Sequence, residues 1–285
     1  SRNKNLYSTN RLYNAGTKRG HRIDVIDYLR CYMCIGENQT AIYYDGKKLG
    51  RYDAVLPRIG ASQTSYGTAI VRQFEMIGDF VINKSDAIKS SRDKLRSLQV
   101  LAKHGIDMPI TGYASHTMDI HDVIEKVGKT PLIIKLLQGT QGNGMVLAET
   151  MKAAESVMNA FKQVDADILI QEFIKESSGV DIRAIVVGKK VVAAMQRVAP
   201  EGEFRSNVHR GAATKHINLT PDEEEIAIKS TKVLGLSVAG VDLMRSKRGP
   251  LVLEVNSSPG LQGIELLTGA DVAGEIISFI ESSLK

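Results

Sequence analysis

Val241-Asp-Leu-Met-Arg-Ser-Lys-Arg-Gly-Pro-Leu-Val-Leu-Glu-Val-Asn-Ser-Ser-Pro-Gly260 is the stretch on which the fold turns. Two apolar runs, residues 239–244 and 251–255, flank a polar turn at residues 246–250, the pattern of a β-hairpin. Asp242 sits in the first run, and Glu254 and Asn256 in the second. A carboxylate inside an apolar strand is costly unless something offsets its charge. Side chains alternate along a strand, so Glu254 and Asn256 share a face. With Asp242 opposite, three oxygen side chains converge. Hard oxygen ligands, two charged and one neutral, suit Mg²⁺ held against phosphates.

The chain has 285 residues, enough for two or three compact units. With 43% hydrophobic and 24% charged residues, its composition is that of an ordinary soluble protein. No apolar run approaches the ~20 residues that span a bilayer, so no membrane partner is expected. No secretory signal is visible. The sequence starts at Ser1 and enters helix-like residues almost at once, so the N-terminal sheet is expected to lack an opening strand. Cys31 and Cys34, in Cys-Tyr-Met-Cys, lack the second pair of ligands that zinc requires. They read as reduced thiols, which points to the cytoplasm. The net charge is +5, yet the basic residues are scattered and there is no Trp, so no nucleic-acid partner is expected. Arginines clustered in sequence favour small anions instead, such as nucleotide phosphates and carboxylates.

Residues 1–90 alternate helix-like and strand-like segments. Helices are expected at residues 6–19 and 66–77, with short strands at 23–26, 54–57 and 80–82. This reads as a small α/β domain with a largely parallel sheet. A helix follows at residues 91–104, stopped by Gly105. Strands at residues 131–137 and 145–148 enclose a glycine-rich loop, Gly139-Thr-Gln-Gly-Asn-Gly144, and Thr150 caps the next helix. A strand at 168–174 and a hairpin of 182–187 with 191–196 come next. Thr220-Pro-Asp-Glu223 is a capping box opening a helix that ends near Gly235. After the hairpin first quoted, residues 271–284 form an amphipathic helix. The domains expected are thus residues 1–90, a small lobe at 91–167 with the glycine loop, and a C-terminal lobe at 168–285 with the metal site.

The loop ending at Gly144 is not a Walker A motif, since no Gly-Lys-Ser/Thr follows, and not a dinucleotide fingerprint, since a strand follows it. A glycine loop between antiparallel strands can fold its bare N–H groups over a triphosphate. Lys135 lies in the apolar strand entering that loop, where an unpaired lysine is rare, and reads as a phosphate contact. Lys94 stands at a helix start, where the dipole disfavours a cation; beside a phosphate site it becomes a second one. Gln171-Glu172-Phe173-Ile174 ends a strand that can present its backbone to an adenine edge. Asp181 can accept from ribose hydroxyls. Arg183 interrupts an apolar strand. Phe204-Arg-Ser-Asn-Val-His-Arg-Gly211 gathers two arginines whose forks suit phosphate and carboxylate oxygens. His209 has no partner at the spacing of a catalytic triad.

Together these residues resemble the ATP-grasp superfamily and, more narrowly, the bacterial glutamate ligases that extend the C-terminus of small-subunit ribosomal protein six. Pro57-Arg-Ile-Gly60, Arg92-Asp-Lys-Leu-Arg96, Asp181-Ile-Arg183, the 204–211 segment and Glu254-Val-Asn-Ser-Ser-Pro-Gly260 carry the resemblance, which spans nearly the whole chain. It implies an α/β N-terminal domain followed by a two-lobed α+β module with ATP between the lobes. Lys94 and Lys135 would hold the α- and β-phosphates, Glu172 and Phe173 the adenine, and Asp181 the ribose. Arg205, Ser206 and Asn207 would line the nucleotide and the transferred phosphate. Asp242, Glu254 and Asn256 would hold two Mg²⁺ or Mn²⁺ ions. Arg183, Arg205 and Arg210 would act on substrate carboxylates and the developing charge. The partners implied are glutamate, an acceptor protein with an acidic C-terminus, and further copies of the chain in a homo-oligomer. Two alternatives stay open on the sequence. One is a ligase joining glutamate or another amino acid to a small molecule or carrier protein. The other is a nucleotide-binding regulatory module without catalysis.

Overall fold

The computed structural model describes residues 1–37, 40–114, 120–137, 144–163, 166–206 and 211–285. The N-terminal domain opens with α1 (Tyr7–Lys18) and then forms an antiparallel meander of β1 (Cys31–Cys34), β2 (Ala41–Tyr44) and β3 (Lys47–Lys48). A parallel pair follows, β4 (Ala54–Val55) and β5 (Phe80–Val81), connected across α2 (Thr64–Met76) as a parallel crossover requires. Two of the expected strands, at 54–57 and 80–82, thus pair in parallel, while a separate antiparallel sheet forms within residues 31–48, where no strand is expected. Its signal is Asp45-Gly46, both at positive φ (49° and 78°), a type I′ turn that closes the β2–β3 hairpin. Residues 23–26 do not form the expected strand. The Ile26 carbonyl accepts from the Ser1 amino group at 2.9 Å, and Ile23 packs against Gly16 so closely that a Cβ there would lie 2.2 Å from Ile23 Cδ1.

The helix expected over 91–104 is α4 (Lys94–Lys103); a further helix, α3 (Ser85–Arg92), precedes it, and the break between them falls at Asp93. Asp93 leaves helical dihedrals and caps α4, accepting from Arg96 N at 2.9 Å. Leu101 and Ile106 then bury themselves beside Ile182, Val241 and Val252 of the C-terminal sheet.

The small lobe comprises β6 (Thr111–Ala114), α5 (Ile120–Val127), β7 (Leu132–Leu136), β8 (Met145–Ala148), α6 (Met151–Gln163) and β9 (Ile168–Glu172). Its four strands are ordered β6-β9-β7-β8, all neighbours antiparallel. The boundary expected at residue 168 cuts this sheet, because β9 lies between β6 and β7. Ile124, Leu132, Ile134, Met158 and Ile170 make a core to which no residue outside the lobe contributes.

The C-terminal lobe is a five-stranded antiparallel sheet, ordered β12-β11-β10-β13-β14. Its members are β10 (Val180–Val187), β11 (Lys190–Val198), β12 (Ala213–His216), β13 (Val238–Ser246) and β14 (Gly249–Asn256). Helices α7 (Pro221–Val233), α8 (Gln262–Thr268) and α9 (Val272–Ser283) complete it. The capping box at Thr220 is formed, and Glu223 also pairs with Arg245 at 2.6 Å. Leu12 and Ile82 of the N-terminal domain share one core with Ile185, Leu261 and Ile276.

Asn83 fastens that junction. It is 3% exposed, at φ 63°, and makes four hydrogen bonds. Its Nδ2 donates to Val238 O at 2.7 Å and Ser257 O at 3.0 Å. Its Oδ1 accepts from Ser237 N at 2.8 Å and Val238 N at 3.0 Å. Left-handed backbone suits Asn better than most residues, and no smaller side chain supplies two N–H donors together with a separate carbonyl acceptor. Asn83→Ala should lower stability by about 3 kcal/mol, since it strands buried backbone groups. Urea denaturation checks this; a midpoint equal to wild type would show the clip to be dispensable.

Candidate functional site

A cleft of about 170 Å³ opens between the two sheets. The small lobe contributes Lys135 from β7 and, from the end of β9, Gln171, Glu172 and Phe173. The C-terminal sheet contributes Asp181, Arg197, Asp242 and Glu254, and the segment after β11 brings Arg205 and Ser206.

Register explains how the charged residues meet. Asp181 and Arg183 share a face of β10; Asp181 lies opposite Arg197 on β11, and Arg183 opposite Asp242 on β13. Asp242 in turn lies opposite Glu254 on β14, where the ladder shifts at Asp242/Leu243. Arg183 clamps Asp242 bidentately at 2.7 and 2.6 Å, and Arg197 clamps Asp181 at 2.6 Å through both nitrogens. Arg197 Nη2 also reaches Asp242 Oδ2 at 3.0 Å. Burial pushes the Asp242 carboxyl up, but the guanidiniums of Arg183 and Arg197 outweigh it and hold it well below the usual range. Two arginines and three carboxylates leave one negative charge uncompensated.

That charge sits on Glu254. Its side chain is 55% exposed and lines the cleft. Burial and the neighbouring Asp242 charge raise its pKa, and Asn256 Nδ2 opposes this by donating to Glu254 Oε1 at 2.8 Å. Asp242, Glu254 and Asn256 are thus brought together at one edge of the sheet. Among the described residues no group of three His, Cys, Asp or Glu side chains is placed to hold a metal. The fitting donor set is this mixed one of two carboxylates and a carboxamide. A divalent cation fits it: the donors are hard oxygens, and a cation would relieve the repulsion that raises Glu254.

The opposite wall is basic. Lys135 Nζ donates to Gln171 Oε1 at 2.5 Å, and burial pushes its pKa down to about 8, with Glu254 opposing and Lys94 adding to the fall. Lys94 Nζ donates to Leu136 O at 3.1 Å, beside the same strand, and burial lowers its pKa as well. Arg205 pairs with Glu203 at 2.7 Å and covers the Phe204 ring, 5.2 Å from its centroid. Glu172 is engaged twice, bidentately with Arg248 at 2.7 Å and by Ile110 N at 3.1 Å. Asn207, His209, Arg210 and the glycine loop up to Asn143 lie outside the described residues. The sequence reading missed Arg197 and Arg248, and read Gln171 for its backbone, missing the side chain that holds Lys135. Of these only Arg197, a cation opposite Asp181 in a strand, left a readable signal.

Lys135 on one lobe with Lys94 beside it, carboxylates on the facing sheet, and a half-open cleft between two α+β lobes define an ATP-grasp enzyme. The description “RimK-like ATP-grasp domain” matches residues 91–280, and “RimK PreATP-grasp domain” matches residues 1–88. Proteins named “Probable alpha-L-glutamate ligase” are similar to the chain over all of its length and 95% of theirs, at 61% identity in Vibrio parahaemolyticus and 62% in Coxiella burnetii. Among solved structures, the ATP-grasp ligase PsnB complexed with minimal precursor superposes with a TM-score of 0.78 at 21% identity, covering 98% of this chain and 96% of that one. A RimK domain protein of Sphaerobacter thermophilus superposes with a TM-score of 0.68 at 21% identity, covering 96% and 95%. At those identities the structures show the fold alone. The chain belongs to the RimK-like ATP-grasp family and is an ATP-dependent carboxylate–amine ligase.

Arg197→Met leaves Asp181 without its partner and Asp242 with one guanidinium fewer, in a buried site. It should lower unfolding free energy by about 3–5 kcal/mol. Adding Asp181→Leu should recover part of that loss. Chemical denaturation of the single and double variants measures both, and an unaltered Arg197→Met midpoint would refute a structural role for the network.

Proposed function

We propose that the chain uses ATP to add glutamate to the C-terminal carboxylate of an acidic protein tail, with small-subunit ribosomal protein six as acceptor. The reaction class rests on one observation, the opposition of Lys135 to Asp242 and Glu254 across a single cleft, with Lys94 bonded to the strand of Lys135 and Asn256 bonded to Glu254. Glutamate as the amine is supported by the 61% identity, over the whole chain, to relatives named for that activity.

In this reading Glu172 and Phe173, at the end of β9, meet the adenine. Asp181 spends one lone pair of each oxygen on Arg197 and has another for a ribose hydroxyl. Lys94 and Lys135 hold the α- and β-phosphates, and Arg205, Ser206 and Asn207 line the path to the γ-phosphate. Asp242, Glu254 and Asn256 would hold two Mg²⁺ or Mn²⁺ ions, which supply neutralisation of phosphate charge when bound. The acceptor carboxylate oxygen attacks the γ-phosphorus, the bond to the β–γ bridging oxygen breaks, and ADP leaves. The glutamate nitrogen then attacks the acyl carbon of the acyl phosphate, loses a proton, and inorganic phosphate departs. No enzyme nucleophile takes part; the residues position reactants and offset charge. Arg183 orients Asp242 and, with Arg205 and Arg210, offsets the charge that develops.

Incubating the protein with ATP, glutamate and the ribosomal protein should raise the acceptor's mass in glutamyl steps. Mass gain on a free metabolite alone would move the acceptor to a small molecule. Glu254→Ala should cut ADP formation by about 10²–10³-fold with the fold intact by circular dichroism. A fully active variant would remove Glu254 from the site.

The lysine supplies a pH test. Lys135 is largely protonated below pH 8 in the free protein, so it takes up no proton there. Above pH 8 it is neutral, and phosphates arriving beside it raise its pKa, so nucleotide binding should take up a proton. Calorimetry of ADP binding near pH 9 in two buffers of different ionisation enthalpy should show that uptake, and Lys135→Met should abolish it. Equal heats in both buffers for wild type would place Lys135 away from the phosphates.

A further inference from the structure

Arg58 and Arg92 approach the metal-site hairpin from the N-terminal domain. Arg58 lies between β4 and α2, and its Nη2 donates to Pro259 O at 2.6 Å, in the turn that leaves β14. Arg92 ends α3 and donates to Ile59 O at 2.6 Å. Neither has a carboxylate partner among the described residues. By contrast Arg11, Arg183, Arg197, Arg205, Arg245 and Arg248 each meet one at 2.6 to 2.9 Å.

Among the described residues each spends one N–H on a backbone carbonyl, so most of the five donors of each fork are uncommitted to protein acids. Burial and the Arg92 charge push the Arg58 guanidinium down to about 10; burial lowers Arg92 too, while Glu254 partly offsets it. Two half-buried like charges without a counterion are unfavourable and are relieved by an anion. The adjoining turn adds a second observation. Ser257 Oγ and Ser258 Oγ are buried and have no hydrogen-bond partner among the described residues, and such hydroxyls are costly unless something satisfies them. The segment running from Gly60 into α2 also has no acid in its first turn to oppose an anion. Arg58 and Arg92 are not among the residues lining the cleft that holds Lys135 and Arg205. Arg92 is nonetheless close enough to feel the Glu254 charge, and Arg58 bonds the turn that leaves β14.

We propose that Arg58 and Arg92 form a carboxylate-binding subsite that holds a substrate carboxylate at the Glu254 end of the cleft, away from the nucleotide. Paired forks match the two oxygens of a carboxylate. This rests on the ligase reading above, in which both glutamate and the acceptor tail carry that group, and the kinetics tell the two apart.

The test is steady-state kinetics of wild type, Arg92→Met, Arg92→Lys and Arg58→Met, varying glutamate, acceptor and ATP in turn. The Met variants should raise the apparent KM of one carboxylate substrate by about 10-fold or more, with KM for ATP unchanged. Arg92→Lys should fall between, since it keeps the charge and loses the fork. A rise for glutamate assigns the subsite to glutamate, and a rise for the acceptor assigns it to the acceptor tail. Unchanged KM for both, a rise for ATP instead, or a fall in kcat alone would overturn the subsite. Arg92→Met carries the test if Arg58→Met fails to fold, because its own bond is not to the Pro259 turn. If wild type transfers no glutamate, it is the ligase reading that fails. The subsite is then judged by calorimetric titration of glutamate and of an acidic peptide into wild type and Arg92→Met, where equal affinities would overturn it.

Discussion

The sheet beneath the cleft is organised by the need to bury Asp242. A carboxylate that is 3% exposed can be kept ionised only if cations reach it with correct geometry. Arg183 must come from the strand on one side, and Arg197 from one strand further away. That requirement fixes the register of β10, β11 and β13 together, since a slip of one residue would turn every charged group to the opposite face. Glu254 then follows on β14, at a ladder shift that turns it toward the cavity. The residue that faces the cleft is thus aimed by a network that mostly faces protein.

Much of this site was legible in the sequence because it violates the composition of its surroundings. Asp242 and Glu254 stand in apolar strands, and Lys135 interrupts an Ile-rich one, so each announces a charge with a purpose. The hairpin itself, the capping box at Thr220 and the strands around the glycine loop follow from local pattern. Pairings across long sequence separation were not legible. Glu172 with Arg248 and Arg245 with Glu223 each look like solvated charges until the chain is folded. Arg197 lay one residue past the expected end of its strand. The N-terminal sheet was misread for a different reason: strands of two to four residues carry too few alternations to reveal their direction. There the Asp45-Gly46 turn was a better guide than hydrophobicity. The break at Asp93 was also hidden, because the leucine stripe at Leu95, Leu98 and Leu101 lies wholly in α4 and gives no sign of α3 before it.

The cleft is polarised. Its small-lobe wall carries Lys135, with Lys94 behind it, while the sheet edge carries one unneutralised carboxylate charge. Each wall on its own is electrostatically unfavourable, as the lowered pKa of Lys135 and the raised pKa of Glu254 indicate. A polyanion with associated cations satisfies both at once. Part of the stability lost in building such a site is therefore recovered on ligand binding, a common feature of preorganised charge.

The distribution of hydrophobic cores has a mechanical consequence. Leu12 and Ile82 are buried with Ile185 and Ile276, and Asn83 bonds the start of β13 to the turn after β14, so the N-terminal domain and the C-terminal sheet behave as one body. Leu101 and Ile106 extend that body through α4. The small lobe has a core of its own and joins the rest by two chain crossings. One runs from Asp107, whose carbonyl is held by Val252 N at 2.9 Å, to Thr111. The other runs from Glu172 to Val180, held midway where the Ser177 hydroxyl donates to Arg245 O. Any widening of the cleft must bend these two short tethers and leave the large shared core intact. Entry and exit of a nucleotide then disturb Lys135 far more than Asp242, and the acidic wall serves as the fixed jaw of the pair.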